Sequence, residues 1–271
     1  MTSNYKTTGP GFTGTIPQNY DRYLGPMYFE DYAIDVAARV DASVVRHALE
    51  LCCGTGRLTR HLRKKLAPDA MLVASDLSED MLAIAKGKFT SEKIEWRIID
   101  AQAPPFDDNS LDLVVCCFGY MFVSDQVKAF AEAKRILRPG GSLLFATWGK
   151  LENNGASNVH RLVLKKYLGN SLPPMYKLPF SMNDPTIIEQ QLYAAGFREI
   201  RTEIVEKKST CATSKEAAYG LVHGSTLYNE LLKQPALLNQ IITTVEAELT
   251  ANYNAGPMVA PMQAIISQAW K

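Results

Sequence analysis

The stretch LELCCGTGRLT at Leu49–Thr59 decides the fold of this chain, because it joins an apolar strand to a small-residue turn and then to a helix. The strand carries an acidic residue, Glu50, near its end, and the turn contains Gly54 and Gly56, where the backbone can approach a ligand closely. Twenty residues after Gly56, a second apolar stretch, MLVAS, ends at Asp76, which is the spacing at which a carboxylate meets a ribose. The pattern predicts a nucleotide-type binding site.

Short apolar strands alternate with helical segments through the first half of the chain. Strands are predicted at residues 45–51, 71–76, 94–99, 111–117 and 142–148, and helices at residues 27–41, 56–66, 79–88 and 125–137. This alternation is typical of parallel βαβ units with helices on both faces of the sheet. We therefore predict an α/β fold with a Rossmann-like, doubly wound, mostly parallel sheet of seven strands.

The second half of the chain adds two late strands and several helices. Helices are predicted at residues 159–168 and 185–195 and through most of residues 214–253, and the segment at residues 151–158 is predicted to be a loop. We expect a single domain over residues 1–271, with a core at about 27–148, late strands at about 197–208 and 258–270, and helical substrate-lid insertions at about 150–195 and 210–253.

The composition of the chain argues against nucleic acid and an acidic membrane as its partners. The formal net charge is +1, so no long-range field favours nucleic acid or an acidic membrane. No segment approaches the roughly 18 uninterrupted apolar residues of a membrane span, and the polar start of the chain contains no apolar signal core. We expect a cytoplasmic protein with a small-molecule substrate. The oligomeric state is not determined by the sequence, and a homodimer is compatible with it.

Four of the five cysteines form two adjacent pairs, Cys52 with Cys53 and Cys116 with Cys117. Neighbouring residues on a strand point to opposite faces, so each pair is poorly placed to share a disulfide or a metal ion. We therefore expect buried free thiols and no metal site.

Five segments together carry a resemblance to a known family: ELCCGTGRL, VASDLSEDML, IIDAQAPPF, SLDLVVCCFG and ILRPGGSLLF. With them the chain resembles the class I S-adenosylmethionine-dependent methyltransferases, and within these the small-molecule group that includes the quinone-biosynthesis enzymes. The resemblance covers residues 45–148 well. It implies that the cofactor is S-adenosyl-L-methionine and that a methyl group passes to a small-molecule acceptor by in-line displacement. The chain departs from the family pattern at Cys52, which stands at the first glycine position of the turn.

The resemblance implies a ring of cofactor-binding residues. The set is Tyr20, Tyr23, Glu50, Cys52, Gly54, Gly56, Asp76, Leu77, Met81, Asp100, Ala101, Phe118 and Phe122. The turn and the start of the following helix suit the methionine carboxylate, and Asp76 can accept two hydrogen bonds from a ribose diol. Leu77 and Met81 would form an apolar wall for the purine. Asp100 can accept a hydrogen bond from its exocyclic amine, next to the backbone of Ala101.

Aromatic residues complete this set, and several members have a plainer structural alternative. Phe118 and Phe122 would wall the sulfonium side or else pack in the core. Tyr20 and Tyr23 would close over the cofactor or else pack at the surface. Asp76 could cap the next helix, a role that Ser78 can also fill.

No residue can be assigned firmly as a catalytic base, and a base is needed only for an acceptor such as a phenol or enol. The candidates are His160, His223 and Tyr20, whereas His47 and His61 flank the first strand and helix and are expected to be structural or exposed. Two other functions remain open. One is a nicotinamide-dependent oxidoreductase, although Thr59 stands where its third glycine would be. The other is a non-catalytic S-adenosylmethionine-binding protein.

Overall fold

The computed structural model describes residues 11–89, 93–169 and 176–271, and these contain one seven-stranded sheet. The strands are β1 (His47–Leu51), β2 (Met71–Ser75), β3 (Glu95–Arg97), β4 (Leu111–Cys117), β5 (Leu137–Trp148), β6 (Glu199–Cys211) and β7 (Met258–Trp270). Their order is β3-β2-β1-β4-β5-β7-β6. The first five strands are parallel, and β7 is antiparallel to both of its neighbours. The predicted α/β fold with a mostly parallel seven-stranded sheet is confirmed.

The helices lie between the strands and after β5. They are α1 (Ile16–Asn19), α2 (Glu30–Ala38), α3 (Arg57–Lys65), α4 (Glu79–Lys86), α5 (Gln126–Ile136), α6 (Gly155–Leu168), α7 (Pro185–Ala194), α8 (Ser214–His223), α9 (Tyr228–Leu231) and α10 (Pro235–Tyr253). A π-helical stretch, Tyr20–Phe29, joins α1 to α2 without a break. Within the described part of the chain, no helix is long and apolar enough to cross a membrane.

The buried centre of the sheet explains why its strands read as continuous apolar runs. Every residue of β1 after His47 is buried, and the inner residues of β4 and β5 are almost completely shielded from solvent. A strand covered by helices on both faces has no polar side to show, so alternation is lost. The apolar segments at residues 111–117 and 258–270 were therefore recognised with the bounds that the structure has.

The N-terminal helix begins earlier than the sequence predicts. A helix was predicted at residues 27–41, but helical backbone starts at Ile16 and ends at Ala38. Gly25 and Pro26 read as helix breakers, and both lie inside the π-helical stretch. Proline interrupts the regular hydrogen bonds of an α-helix. A π-helical stretch departs from that hydrogen-bond pattern, and the backbone can therefore remain helical through Pro26.

The predicted loop at residues 151–158 is wrong in its second half, because α6 begins at Gly155 instead of residue 159. The side chain of the preceding residue, Asn154, accepts a hydrogen bond from the backbone amide of Gln263 over 3.0 Å and donates to its carbonyl. With these two hydrogen bonds the Asn154 side chain pairs with the backbone of β7, as a neighbouring strand would, and this fixes the start of α6. Residues 170–175, between α6 and α7, lie outside the described residues.

The hairpin of β6 and β7 extends beyond the rest of the sheet. Trp148 ends β5 opposite Ala264, which pairs in turn with Val205. Six further β6–β7 pairs follow, from Glu206 with Gln263 to Cys211 with Met258, and they span about 20 Å at roughly 3.3 Å per residue. The extension packs against α6, α8 and α10, so the hairpin reaches beyond the carboxyl ends of the parallel strands.

Candidate functional site

The turn after β1 is built around three residues with positive φ. Cys52, Gly54 and Gly56 have φ angles of 54°, 55° and 81°. Among the described residues, a side chain added at Gly54 would meet nothing within 4 Å, whereas one at Gly56 would lie 3.0 Å from the ring of Phe89 and 3.2 Å from Ala85. Gly56 therefore allows the turn to pack against α4. Gly54 leaves an open face over which a ligand could lie.

Asp76, at the end of β2, is bonded directly to this turn. Its Oδ2 accepts a hydrogen bond from the Gly54 amide over 2.8 Å, and its Oδ1 accepts one from the Ser78 amide over 2.9 Å. Burial raises the pKa of Asp76, and these backbone hydrogen bonds oppose the shift. The Ser78 hydroxyl accepts from the Met81 amide and so caps α4, as predicted. A carboxylate can accept about four hydrogen bonds, so Asp76 retains capacity for a ligand.

Glu50 is a buried acid with one unpaired oxygen atom. Its side chain is 1% exposed, and Oε2 forms no hydrogen bond with the described residues. Burial raises the pKa of Glu50 to about 8, with neighbouring Thr59 opposing the shift and Asp76 adding to it. The Thr59 hydroxyl is also buried and lacks a hydrogen-bond partner among the described residues. Buried polar atoms are almost always bonded, so an unpaired acceptor beside an open glycine turn is what a ligand-binding residue would show.

A third acid, Asp100, also faces the turn. Asp100 is exposed, and its Oδ1 accepts a hydrogen bond from the Gln102 amide over 2.9 Å. The pKa of Cys52 is raised chiefly by its hydrogen bond with Cys116 and by burial, and the charges of Asp76 and Asp100 add to this shift. Both carboxylates therefore lie near the same thiol. Glu50, Asp76 and Asp100 thus lie at or just after the carboxyl ends of three adjacent strands, β1, β2 and β3.

The apolar members of the predicted set differ in their accessibility. Leu77 is 46% exposed directly beside Asp76, while Met81 and Ala101 are 4% and 3% exposed and belong to the packed interior. Phe118 is 6% exposed and stacks on Trp148, with 4.0 Å between ring centroids. The packing alternative is therefore realised for Phe118, whereas Phe122 is half-buried and remains open to a ligand.

The N-terminal segment crosses over this crevice. The Ser78 hydroxyl donates to the Phe12 carbonyl over 3.0 Å, and the Phe12 ring lies 5.7 Å from that of Tyr20 and 6.1 Å from that of Phe122. Tyr20 therefore reaches the crevice. Tyr23 does not join it through its ring contacts, which are made with Tyr219 of α8 and with the guanidinium of Arg22.

A polar latch that the sequence analysis missed holds this segment to the turn; it consists of Asp21, Thr55, Arg57 and Lys88. The Thr55 hydroxyl donates to Asp21 Oδ1 over 2.7 Å, and Lys88 pairs with Asp21 and donates to the Thr55 carbonyl. Arg57 donates to the Asp21 carbonyl and pairs with Glu30 over 2.8 Å. Thirty-four residues separate Asp21 from Thr55, and no local pattern signals such a contact.

The three candidate bases lie in different surroundings. His160 of α6 is 2% exposed, its Nδ1 lies 3.3 Å from the Tyr176 hydroxyl, and Nε2 has no partner among the described residues. Burial lowers the pKa of His160 to about 3, so its ring is neutral. His223 stacks on Tyr219 and bonds its carbonyl, and Tyr20 lies in the crevice. His61 pairs with Glu30 over 2.9 Å and His47 lies 3.5 Å from Asp112.

Aromatic side chains line the carboxyl ends of β4 and β5 as a continuous band. This aromatic band consists of Phe12, Tyr20, Phe29, Phe118, Phe122, Trp148 and Phe180, each in ring contact with at least one other member. Next to it, the Tyr28 ring lies edge-on to Trp148, and its hydroxyl accepts a hydrogen bond from the Ser157 hydroxyl over 2.9 Å. The band covers the carboxyl ends of β4 and β5 with apolar rings and has a polar edge at Tyr28.

Comparison with known proteins shows which proteins this chain is similar to. Residues 48–141 match the family model described as a methyltransferase domain. The chain is 37% identical over 134 residues to the ubiquinone/menaquinone biosynthesis C-methyltransferase UbiE of Dinoroseobacter shibae, covering 48% of this chain and 52% of that protein. It is 32% identical over 151 residues to the demethylmenaquinone methyltransferase of Lactiplantibacillus plantarum, covering 53% and 64%. The chain thus matches about half to two thirds of the length of these curated relatives.

Solved structures agree on the fold. The phosphoethanolamine N-methyltransferase 2 of Haemonchus contortus, solved in complex with S-adenosyl-L-methionine, superposes with a TM-score of 0.60 at 17% identity, over 96% of this chain and 57% of that one. At this identity the likeness establishes a shared fold and no more.

Proposed function

Because the chain carries a methyltransferase domain over residues 48–141, we propose that it transfers the methyl group of S-adenosylmethionine to a small organic acceptor. The observation that carries the proposal is the convergence of Glu50, Asp76 and Asp100 on an open glycine turn, with the Glu50 Oε2 buried and unpaired within the described part of the structure. These residues fit an adenosine joined to an amino acid.

Each part of this ligand has a matching group on the chain. The amino-acid carboxylate would lie over Gly54 and the amino end of α3, where no side chain caps the helix. Glu50 would receive the ammonium group, whose positive charge would return the carboxyl to its ionised form. Asp76 would accept from the ribose hydroxyls, and Leu77 and Asp100 would flank the purine.

The remaining predicted contacts complete the proposed cofactor site. Cys52 and Gly56 would shape the turn, and Met81 and Ala101 would back the purine. Tyr20, Phe118 and Phe122 would lie towards the sulfonium, while Tyr23 would act through the packing of α8.

The methyl group on the sulfonium is already activated for transfer. The chain therefore has to position the two reactants and exclude water, and it needs no strongly reactive side chain. The latch of Asp21, Thr55, Arg57 and Lys88 would hold the N-terminal segment over the crevice and exclude water. Good alignment of two reactants is worth roughly 7–11 kcal/mol of the barrier. Positioning of the two reactants would therefore supply a large part of the rate enhancement.

The acceptor that best suits the site is a planar, largely apolar ring. The aromatic band offers flat surfaces for stacking, and two curated relatives are named for menaquinone methylation. The helices α6 to α8 and α10, together with the β6–β7 extension, would form the lid that selects this acceptor. His160 would be a poor base for a hydroxylated acceptor, because burial lowers the pKa of its ring to about 3 and so opposes its protonation. A cytoplasmic location and the absence of a nucleic-acid partner remain predictions.

Isothermal titration with S-adenosylhomocysteine and with NADH separates the proposal from the oxidoreductase alternative. Heat with S-adenosylhomocysteine alone is expected, because Thr59 occupies the position of the third glycine in the dinucleotide fingerprint. Heat with NADH alone would overturn the proposal. Transfer of a tritiated methyl group to a panel of naphthols and quinols then separates an enzyme from a non-catalytic binding protein, for which no product should be labelled.

A further inference from the structure

Two thiols that the proposed chemistry does not use lie side by side beneath the cofactor turn. Cys116 belongs to β4 and pairs in register with Leu51 of β1, so Cys52 is the next residue along from that pair. A side chain added at Gly119 would place its Cβ 2.7 Å from the Cys52 sulfur and 2.6 Å from the Cys116 sulfur. Both sulfur atoms therefore pack against Gly119, in the space that a side chain at this residue would need.

The other three cysteines are arranged differently. Cys53 belongs to a separate apolar cluster with Ala74 and Leu82, Cys117 is half-buried on the next position of β4, and Cys211 lies at the far end of β6. The pair of Cys52 and Cys116 joins two adjacent parallel strands, whereas the sequence pattern suggested only pairs within one strand. All five cysteines are free thiols in the structure.

The surroundings of this thiol pair are strained and incompletely bonded. Cys52 has a φ of 54° and Phe118, which precedes Gly119, has a φ of 59°. The Tyr120 hydroxyl is buried without a hydrogen-bond partner among the described residues, and burial raises its pKa, with smaller contributions from Cys116 and Cys52. Backbone strain of this kind persists where the surrounding structure has a functional demand for it.

We propose that Cys52 and Cys116 form a reversible disulfide when a peroxide oxidises the protein, and that this bond weakens cofactor binding at the turn. The effect on cofactor binding rests on the proposed function. Cys52 is half-buried and Cys116 is fully buried, so the peroxide meets Cys52 first. The thiol-to-disulfide step requires no further thiol, because the Cys116 sulfur packs against the same glycine, Gly119, as the Cys52 sulfur.

The chemistry balances in two steps. The Cys52 sulfur attacks one oxygen of the peroxide, the O–O bond breaks, and the products are Cys52 sulfenic acid and one water molecule. The Cys116 sulfur then attacks the sulfenic sulfur, the S–S bond forms and a second water leaves. The two thiols lose two electrons and two protons in total, and the peroxide is reduced to water. A dithiol reductant reverses the bond by exchange.

The reaction should be slow at neutral pH and faster at alkaline pH. The thiolate is the reactive form, and the pKa of Cys52 is raised by its hydrogen bond with Cys116, by burial and by the charges of Asp76 and Asp100. Four titratable side chains face Cys52. They are Cys116 from β4, Asp76 after β2, Asp100 after β3 and Tyr120 in the turn after β4. The pair would therefore respond to sustained oxidation.

The bond would act on the cofactor through the geometry of the turn. Cys52 lies two residues before Gly54, whose amide is held by Asp76 on the other side of β1. A covalent link to β4 pulls Cys52 away from β2 and constrains the residues over which the ligand would lie. We expect oxidation to weaken S-adenosylhomocysteine binding by about tenfold, which corresponds to about 1.4 kcal/mol.

The test treats the full chain with hydrogen peroxide at pH 7 and pH 9 and maps its peptides without reduction. The expected result is a linked pair of peptides containing Cys52 and Cys116, with the loss of two hydrogen atoms, formed faster at pH 9. Linkage through other cysteines, or oxidation to sulfinic acid without a link, would overturn the disulfide. This readout needs neither a variant nor bound cofactor, so it decides the thiol pair even if the proposed function fails.

Titration with S-adenosylhomocysteine before oxidation, after it and after dithiothreitol tests the effect on the site. We expect the affinity to fall and then to recover. The variant C116A should keep its affinity after peroxide, whereas the control C211A should lose affinity as the wild type does. A linked protein with unchanged affinity would refute the switch, and a reduced protein that binds no S-adenosylhomocysteine would refute the proposed function instead.

Discussion

The amide of Gly54 donates to Asp76 Oδ2 over 2.8 Å, so the carboxylate at the end of β2 holds the glycine turn that follows β1. The same carboxylate bonds the Ser78 amide at the start of α4. Asp76 is therefore a structural link between two turns, and in the proposed function it is also the acceptor for the ribose hydroxyls. These two roles predict different consequences for binding and for stability.

Replacing Asp76 with alanine should weaken S-adenosylhomocysteine binding more than tenfold, since two ribose hydroxyls would lose their acceptor, at about 1.4 kcal/mol per factor of ten. The measurement is calorimetric titration of D76A alongside D69N, in which an exposed acid at the start of the same βα unit is neutralised. Unchanged affinity in D76A would mean that Asp76 serves the turns alone. Circular dichroism checks that the variant is folded.

The burial of Glu50 predicts that stability falls as the pH rises. Its pKa is about 8 in the folded chain and about 4.3 in an unfolded one. The folded state therefore holds an extra proton between these values, and the free energy of unfolding decreases across this window and levels off above pH 8. The effect should amount to a few kcal/mol, as each pKa unit is worth about 1.4 kcal/mol.

The variant E50Q isolates this contribution, because glutamine keeps the shape of the side chain and cannot ionise. Urea unfolding at pH 5, 7 and 9 should show a difference between wild type and E50Q that grows with pH. Saturating S-adenosylhomocysteine should reduce the difference if its ammonium group pairs with Glu50. A difference that does not vary with pH would contradict the burial of an uncompensated acid at this position.

Cys52 adopts a backbone conformation that favours glycine, with a φ of 54°. The substitution C52G should raise the free energy of unfolding by about 0.5–1 kcal/mol, because relief of left-handed strain exceeds the entropy gained by the unfolded chain. Thermal unfolding would measure the change. C211G is the matched control, because Cys211 lies in β6 without a positive φ and its replacement should lower stability. Destabilisation of both variants would indicate that the thiol contacts of Cys52 outweigh its strain.

How far the sequence could predict this molecule depended on the range of the interactions involved. The bounds of β7 and the convergence of Glu50 with Asp76 follow from local patterns, namely an apolar run and a fixed spacing. The start of α6 could not be predicted, because Asn154 is fixed by Gln263, more than a hundred residues away. The contact of Cys52 with Cys116 is equally non-local, since it depends on the space that Gly119 leaves.

The hydrogen bond from Thr55 to Asp21 predicts a kinetic effect on the cofactor. Loss of this bond in T55V should loosen the N-terminal segment, so S-adenosylhomocysteine should dissociate about three- to tenfold faster with little change in its association rate. Stopped-flow competition measures both rates. D21N should behave like T55V, while D31N, which changes an exposed acid in α2, should not. Equal dissociation rates in all variants would show that the latch does not hold the ligand.

The hydroxyl of Tyr28 offers a way to separate the acceptor from the cofactor. Its oxygen accepts from the Ser157 hydroxyl over 2.9 Å, so its own proton is available to an oxygen atom on an acceptor that stacks on the aromatic band. Y28F should raise the KM for a hydroxylated acceptor about fivefold, because one hydrogen bond worth about 1 kcal/mol is lost. The affinity for S-adenosylhomocysteine should stay the same, as Tyr28 lies near Trp148 and not beside Asp76. Y193F, at a residue that is 49% exposed on α7, is the control. An unchanged KM would remove Tyr28 from the acceptor site, and a parallel loss of cofactor affinity would mean that Y28F disturbs the fold around the turn.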